Sequence, residues 1–380
     1  MSTASTLHEP AVRESAIVDT IRRLVECESP SDDRAAVARS AELVAEIGTE
    51  LLGAPPERID VDGVAHLRWR FGSTTRVLLL AHHDTVWPMG TLQRLPFGVR
   101  DRVLTGPGCF DMKTGVAMAL HAVAALDDRD GITILVTGDE ELGSPRSRAL
   151  IEETARGASA TLVLEASADG GALKSERKGV SLYEVAVSGR AAHAGLEPEK
   201  GVNAGVELAH LTIAAAALTD IDAGTSVTPT RSAAGTTTNT VPAGARLWID
   251  VRARTSVELE RVDTALRAYQ PVAPGASINV GGGFNRPPLE SRMSATLFAL
   301  ASRVADRLGL APLEHVAVGG ASDGNFTAGL GVPTLDGLGA VGGGAHAEDE
   351  HVLLAEIVPR TRLLTELVVE ISRTDEPWHN

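Results

Sequence analysis

Cysteine is nearly missing from this chain, whose 380 residues hold only Cys27 and Cys109. A disulfide framework is thereby excluded, and a metal site built on thiolates would be incomplete. Any metal must be held by histidine, aspartate and glutamate. Long apolar runs are missing too: no stretch reaches the roughly 18 residues that a membrane span requires. The opening MSTASTLHEPAVRES has no basic segment followed by an apolar run, so the expectation is a cytoplasmic protein with no membrane partner. Positive charge is in deficit. Lys and Arg number 35 against 50 Asp and Glu, a net −15 spread along the chain, which argues against nucleic acid as a partner.

What is present fits an ordinary globular protein, with 43% hydrophobic and 22% charged residues. The length exceeds one typical core, so two domains are expected. In the first third, apolar strands at residues 65–71, 77–81, 132–137 and 161–164 alternate with helical stretches. Ser31-Asp32-Asp33 caps a helix through residue 52, and further helices are expected over 113–126 and 145–155. That rhythm predicts an α/β fold, a mixed sheet flanked by helices. The middle differs. Residues 180–187 and 247–251 alternate as half-exposed strands, 202–218 reads as an Ala-rich helix, and 226–240 is rich in Thr, Ser and Gly. These features predict a smaller α+β unit inserted over 179–288, leaving 1–178 and 289–380 as one discontinuous domain. After Pro287-Pro288 come an expected helix over 291–308, a strand over 315–318, a helix from Asp323 and a final helix over 353–373.

Acid and imidazole gather where these strands end. In LLLAHHDTVWPMG, residues two apart share a face of a strand, so His82 and Asp84 point together and His83 points away. A ligating histidine commonly gives its second ring N–H to a carboxylate, a task open to Asp84. Alone, the pair reads equally as surface histidines beside a loop. Asp111, at the Gly-rich turn GPGCFDMKTG, reads alone as a helix N-cap before it reads as a ligand. Asp139, Glu140 and Glu141 follow the strand ITILVTG, and Glu165 ends TLVLE. Three adjacent carboxylates repel one another unless a cation or proton intervenes, although a solvated loop end is the plain alternative. Open α/β sheets place their sites at the C-terminal ends of strands, and three successive strands deliver acid or imidazole there. GGGAHAEDEH adds His346. Oxygen and imidazole donors without thiolate suit Zn²⁺, with Mn²⁺ or Co²⁺ as substitutes. His82, Asp111, Glu141, Glu165 and His346 would hold two ions with the aspartate shared, leaving Glu140 free as a base.

In order and spacing, HHDT, GPGCFDMKTG, DEELGS, the Glu165 strand end, RAAHAG with His193 and GAHAEDE resemble the M20 family of di-zinc metallopeptidases. The resemblance covers nearly the whole chain and is nearest to the glutamate carboxypeptidase branch. It implies two Zn²⁺ per subunit, His82 and Glu165 on one, Glu141 and His346 on the other, and Asp111 as the bridge. Asp84 would orient His82 and Glu140 would be the general base. A cis peptide is implied at Asp111-Met112. The inserted unit becomes a lid and dimerisation domain, and His193 would reach the partner subunit's active site in a homodimer to stabilise the oxyanion. Asn239, Arg252 and Arg286 would grip a substrate carboxylate, the loop at Gly320 would present backbone groups, and Lys174 would meet a side-chain carboxylate. The implied reaction releases a C-terminal amino acid, glutamate for preference, from a small N-acyl or peptidyl substrate. An N-acyl-amino-acid deacylase such as an acetylornithine deacetylase or aminoacylase is the alternative. A rival of another class comes from Gly320-Ala321-Ser322-Asp323-Gly324, which fits G-x-S-x-G and is followed by Asp336 and His346 in α/β-hydrolase order. That reading leaves five metal-type side chains without a purpose.

Overall fold

The computed structural model describes residues 12–374. The chain divides into two compact units: Arg177–Glu290 with Val318–Ala321 form one, and the remaining described residues form the other.

The larger unit is built on a six-stranded sheet in the order Glu57–Val61, Val64–Arg70, Ile132–Thr137, Val77–His82, Ala160–Val163, Thr334–Leu335. The first two strands form an antiparallel hairpin, and Val64–Arg70 is also antiparallel to Ile132–Thr137. From there on every pairing is parallel. Val77 to Ala81 is apolar without alternation because both faces of this central strand are covered, and every residue of the strand is buried. Burial of each large aliphatic side chain here contributes about 1.5–3 kcal/mol. The main core joins this sheet to Ile17 and Ile21 of the Glu14–Glu26 helix, Val44 and Ile47 of Arg34–Leu52, Leu300 and Val304 of Ser291–Arg307, and Leu364 and Leu367 of Leu354–Arg373.

Local chemistry sets the helix ends. Asp33 caps Arg34–Leu52, its Oδ1 accepting the N–H groups of Ala35 and Ala36 at 2.9 and 3.0 Å. Gly53 ends that helix with φ at 74°, a backbone that favours glycine. The Thr114–Ala124 helix is apolar nearly all round and buried along almost its whole length. It lies so close to the sheet that a Cβ on Gly115 would sit 2.1 Å from the carbonyl oxygen of Leu164.

The smaller unit carries a four-stranded antiparallel sheet in the order Ser226–Ala234, Gly244–Ala253, Gly179–Ser188, Ser277–Arg286. It has its own apolar core, in which Val185, Leu247 and Val251 meet Leu211 of the Ala204–Ala216 helix and Val262 of the Ser256–Ala268 helix. The Thr-, Ser- and Gly-rich stretch, to which composition alone assigns no element, contains the edge strand Ser226–Ala234. Its polar side chains face outward, and the register shifts between Pro229 and Arg231, which together hide its alternation.

Candidate active site

The order of the three central strands decides where chemistry gathers. Val77–His82 lies between Ile132–Thr137, which follows it in the chain, and Ala160–Val163, which follows that. Val77–His82 connects onward to Ile132–Thr137 on one side and its neighbour Ala160–Val163 connects onward to Thr334–Leu335 on the other, so the crevice at the C-terminal ends of these two strands is a topological switch point of the sheet. His82 is the last residue of the strand and pairs with Thr137. Glu140 and Glu141 lie in the 3₁₀ turn just beyond Thr137, and Glu165 lies two residues beyond Val163.

His82 is buried. Its Nδ1 lies 3.0 Å from the backbone oxygen of Asp84, so Nδ1–H donates there and Nε2 is the ring atom left to face the acidic cluster. That Nε2 is 3.4 Å from Asp111 Oδ1 and 3.6 Å from Glu165 Oε1. The Asp84 carboxylate stands 3.4 Å from Nδ1 and is engaged elsewhere. It accepts from Ser31 Oγ at 2.6 Å and from the N–H groups of Glu140 and Glu141 at 3.3 and 3.2 Å. Asp84 therefore holds His82 through its main chain and the acidic turn through its side chain. His83 points the other way, with Nδ1 3.1 Å from Ser40 Oγ and Nε2 3.2 Å from the Ala65 carbonyl. Burial brings its pKa down to about 4, so it is a neutral core residue.

Asp111 follows Gly108, whose φ is 72°, and its peptide to Met112 is cis. It caps nothing, since no side chain caps the Thr114–Ala124 helix. Instead its carboxylate divides: Oδ1 faces His82, and Oδ2 lies 3.4 Å from His346 Nε2. His346 Nε2 is also 3.3 Å from Glu141 Oε2. His346 is held at φ 61°, a left-handed backbone uncommon for a residue with a side chain. The donor atoms of His82, Asp111 and Glu141 all lie within 4.8 Å of one another, as do those of His82, Glu140 and Glu165.

The separations identify what the cluster fits. Imidazolium–carboxylate hydrogen bonds close to about 2.7–2.9 Å. Two donors about 2.0–2.1 Å from one tetrahedral zinc ion lie about 3.3–3.4 Å apart. The observed 3.3–3.6 Å contacts match the second arrangement. Glu141 Oε1 is also buried with no hydrogen-bond partner among the described residues, an orphan that a cation would satisfy. Electrostatics agree. Asp111 and Glu141 raise the His346 pKa to about 10. Burial depresses that of His82, yet Asp111, Asp84 and Glu165 outweigh it and lift the ring well above its ordinary value. Burial likewise opposes ionisation of Asp111, and His346 and His82 overcome it. The carboxylates thus draw positive charge to the point between them. His82, Asp111, Glu141, Glu165 and His346 have the donor chemistry and spacing for two divalent ions sharing Asp111, with Glu140 beside them.

The other expected site residues fall into two groups. Lys174 belongs to the larger unit, half-buried, its N–H donating to the Asp336 carbonyl at 2.9 Å. His193, Asn239, Arg252, Arg286 and Gly320 belong to the smaller unit. Within it the first two are neighbours: Ala194 N–H donates to the Asn239 carbonyl at 2.9 Å, and His193 is exposed, its Nδ1 accepting from Gly195 N–H at 3.1 Å. Arg252 forms a fork on Asp250 at 2.8 and 3.0 Å. Arg286 is buried at the end of its strand opposite Val180, and the Gly320 carbonyl accepts from Arg177 at 3.1 Å.

Ser322 lacks the exposure and the base that a nucleophile needs. It is 1% exposed, and its Oγ donates to Asp336 Oδ2 at 2.6 Å while accepting from Gly324 N–H. His346, the base that reading requires, faces Asp111 and Glu141 instead. One residue escaped sequence reasoning: Glu350, a buried carboxylate that accepts from the N–H of Asp111. In AHAEDEH it is one acid among three, and no spacing rule separates it from its neighbours.

Comparison with known proteins agrees with this geometry. The family model described as peptidase family M20/M25/M40 matches residues 78–370. Carboxypeptidase G2 of Pseudomonas sp. (strain RS-16) is 30% identical over 377 residues, covering 94% of this chain and 89% of that one. Succinyl-diaminopimelate desuccinylase of Wolinella succinogenes is 27% identical over 314 residues, covering 78% of this chain and 84% of that one. Among solved structures, aminopeptidase PepT from Bacillus cereus superposes with a TM-score of 0.75 at 22% identity, covering 96% of this chain and all of the other.

Proposed function

The chain belongs to peptidase family M20/M25/M40 and is a metallohydrolase; from that premise we propose that it is a two-ion carboxypeptidase releasing a C-terminal amino acid, glutamate for preference, from a small N-acyl or peptidyl substrate. The observation that carries the two-ion reading is the divided carboxylate of Asp111, one oxygen toward His82 and the other toward His346, each at 3.4 Å. In this reading His82 and Glu165 hold one ion, Glu141 and His346 the other, and Asp111 both. Zn²⁺ is the first choice for nitrogen and oxygen donors, with Co²⁺ or Mn²⁺ as substitutes.

Such a pair of ions supplies Lewis-acid charge and a water ionised near neutral pH. Glu140, fixed through its N–H on Asp84, takes the water's proton as the amide carbonyl is attacked and returns it to the departing amine. Asp84 keeps the His82 ring turned so that Nε2 faces inward. Lys174, Asn239, Arg252, Arg286 and the Gly320 backbone are proposed to bind the substrate, with Arg252 exchanging its fork on Asp250 for the substrate carboxylate. His193 is proposed to donate to the oxyanion in the partner subunit of a homodimer, the inserted unit serving as lid and dimerisation domain. No helix among the described residues is long and apolar enough to cross a membrane, and the cytoplasm is the proposed location.

Glutamate release is supported by the carboxypeptidase G2 likeness, which spans more of this chain at higher identity than the desuccinylase does. The desuccinylase likeness keeps one second reading open, deacylation of an N-acyl amino acid. A panel of N-acyl amino acids and dipeptides assayed with added zinc tests both. Turnover highest on substrates ending in glutamate supports the proposal; turnover set by the acyl group whatever the terminal residue replaces it with the deacylase. Activity that survives complete removal of divalent ions overturns both.

A further inference from the structure

One buried carboxylate beside the metal centre has no part in the chemistry above. Glu350 is 3% exposed, and all four hydrogen bonds that a carboxylate readily accepts are made. Oε2 accepts from Trp87 Nε1 at 2.7 Å and from Gly108 N–H at 2.8 Å. Oε1 accepts from Phe110 N–H at 2.8 Å and Asp111 N–H at 3.0 Å. Three of these donors are the main chain of the very segment that carries Asp111.

Glu350 also closes the turn that carries His346. Its N–H donates to the Ala347 carbonyl at 3.0 Å, and Ala347 N–H donates to that of Gly344 at 2.9 Å. Next to it, His351 pairs with Gly343 and Thr105. One side chain therefore fastens two loops that meet where His346 Nε2 faces Asp111 Oδ2.

We infer that Glu350 is the positioning residue of the metal centre: its carboxylate sets the Gly108–Asp111 main chain so that the two Asp111 oxygens face His82 and His346, and it ties the His346 turn to that segment. This rests on the two-ion reading of the site. A carboxylate suits the task because it only accepts. In Glu350→Gln, either orientation of the amide would turn an NH₂ group onto two N–H donors, so the segment must move.

The test is metal affinity, read apart from turnover. Apo-protein is titrated with zinc against a chromophoric chelator for the wild type, Glu350→Gln and Trp87→Phe. Groups that orient ligands typically contribute about 10–100-fold to affinity, and we expect a loss of that size for the more weakly held ion in Glu350→Gln. Excess zinc should restore kcat with KM unchanged, a recovery that a purely structural lesion does not show. A folded Glu350→Gln protein binding both ions as tightly as the wild type overturns the inference. Should that variant fail to fold, Trp87→Phe decides, since it removes one donor and keeps both ring and charge: zinc binding weakened about threefold or more supports the role, and wild-type affinity overturns it. A wild-type protein that takes up no pair of ions, or an Asp111→Asn variant that binds as the wild type does, defeats the two-ion reading itself.

Discussion

The two halves of the proposed metal centre are built differently. His82, Glu140 and Glu165 stand at or just beyond the ends of three neighbouring parallel strands, over a helix that touches the sheet main chain at Gly115, whereas the other half pairs Glu141 with His346. His346 stands on a turn, its side chain half exposed against 2% for His82, and Glu350 ties that turn to the rest. The first half is fixed by the sheet itself. The second is fixed by a carboxylate anchor, so it is the half expected to load last and release first.

Substituting the residue common to both halves should have the largest effect. Asp111→Ala is expected to abolish paired binding and lower kcat/KM about a thousandfold or more, from loss of several kcal/mol of charge stabilisation; metal content by mass spectrometry should fall below two ions per chain. His82→Ala and His346→Ala then separate the halves: one ion should persist in His346→Ala, and equal losses in the two variants would erase the distinction. Glu140→Gln should keep both ions while kcat drops about 10²–10⁴-fold, and retained turnover with full metal would remove Glu140 from its role. Gly115→Ala strikes first at the strand end that carries Glu165. With backbone 2.1 Å away the helix must shift, costing about 2–3 kcal/mol in denaturant unfolding and weakening the ion assigned to His82 and Glu165. The smallest effect concerns acid. His121, on the same helix and 3.0 Å from Thr20 Oγ1, has its pKa lowered to about 4 by burial. Its folded value lies below its unfolded value, so the unfolded chain takes up a proton that the native protein refuses. Stability is whole above about pH 6.5 and falls as pH drops toward 4, by about 1–2 kcal/mol at pH 5. His121→Gln should flatten that slope in urea midpoints measured between pH 7 and 5.

The same contrast explains what could be read from sequence. The strand-end candidates are legible because an apolar run ending in His82, or in Asp139-Glu140-Glu141, marks both the strand and the place where it stops. Asp111 and His346 enter the donor set on residue type alone, and their division between two ions comes from the resemblance, because turn-borne residues carry no periodicity. Glu350 was out of reach, its four donors converging from Trp87 and from residues 108–111 only after folding. Among elements, the Ser277–Arg286 strand went unassigned because Gly281, Gly282 and Gly283 interrupt its pattern, and Ser226–Ala234 because its outer side chains are threonine, serine and alanine. The brief return of Val318–Ala321 to the smaller unit leaves no compositional mark.

The strand Thr334–Leu335 completes the larger sheet from a part of the chain that follows the inserted unit. During synthesis on the ribosome, the inserted unit emerges whole, with its own core, while the sheet still lacks its last strand, the His346 turn and the closing helix Leu354–Arg373. Translation therefore delivers the His346 turn and the closing helix last, and a chain truncated between residues 321 and 334 would hold the whole insert and its core inside an unfinished host.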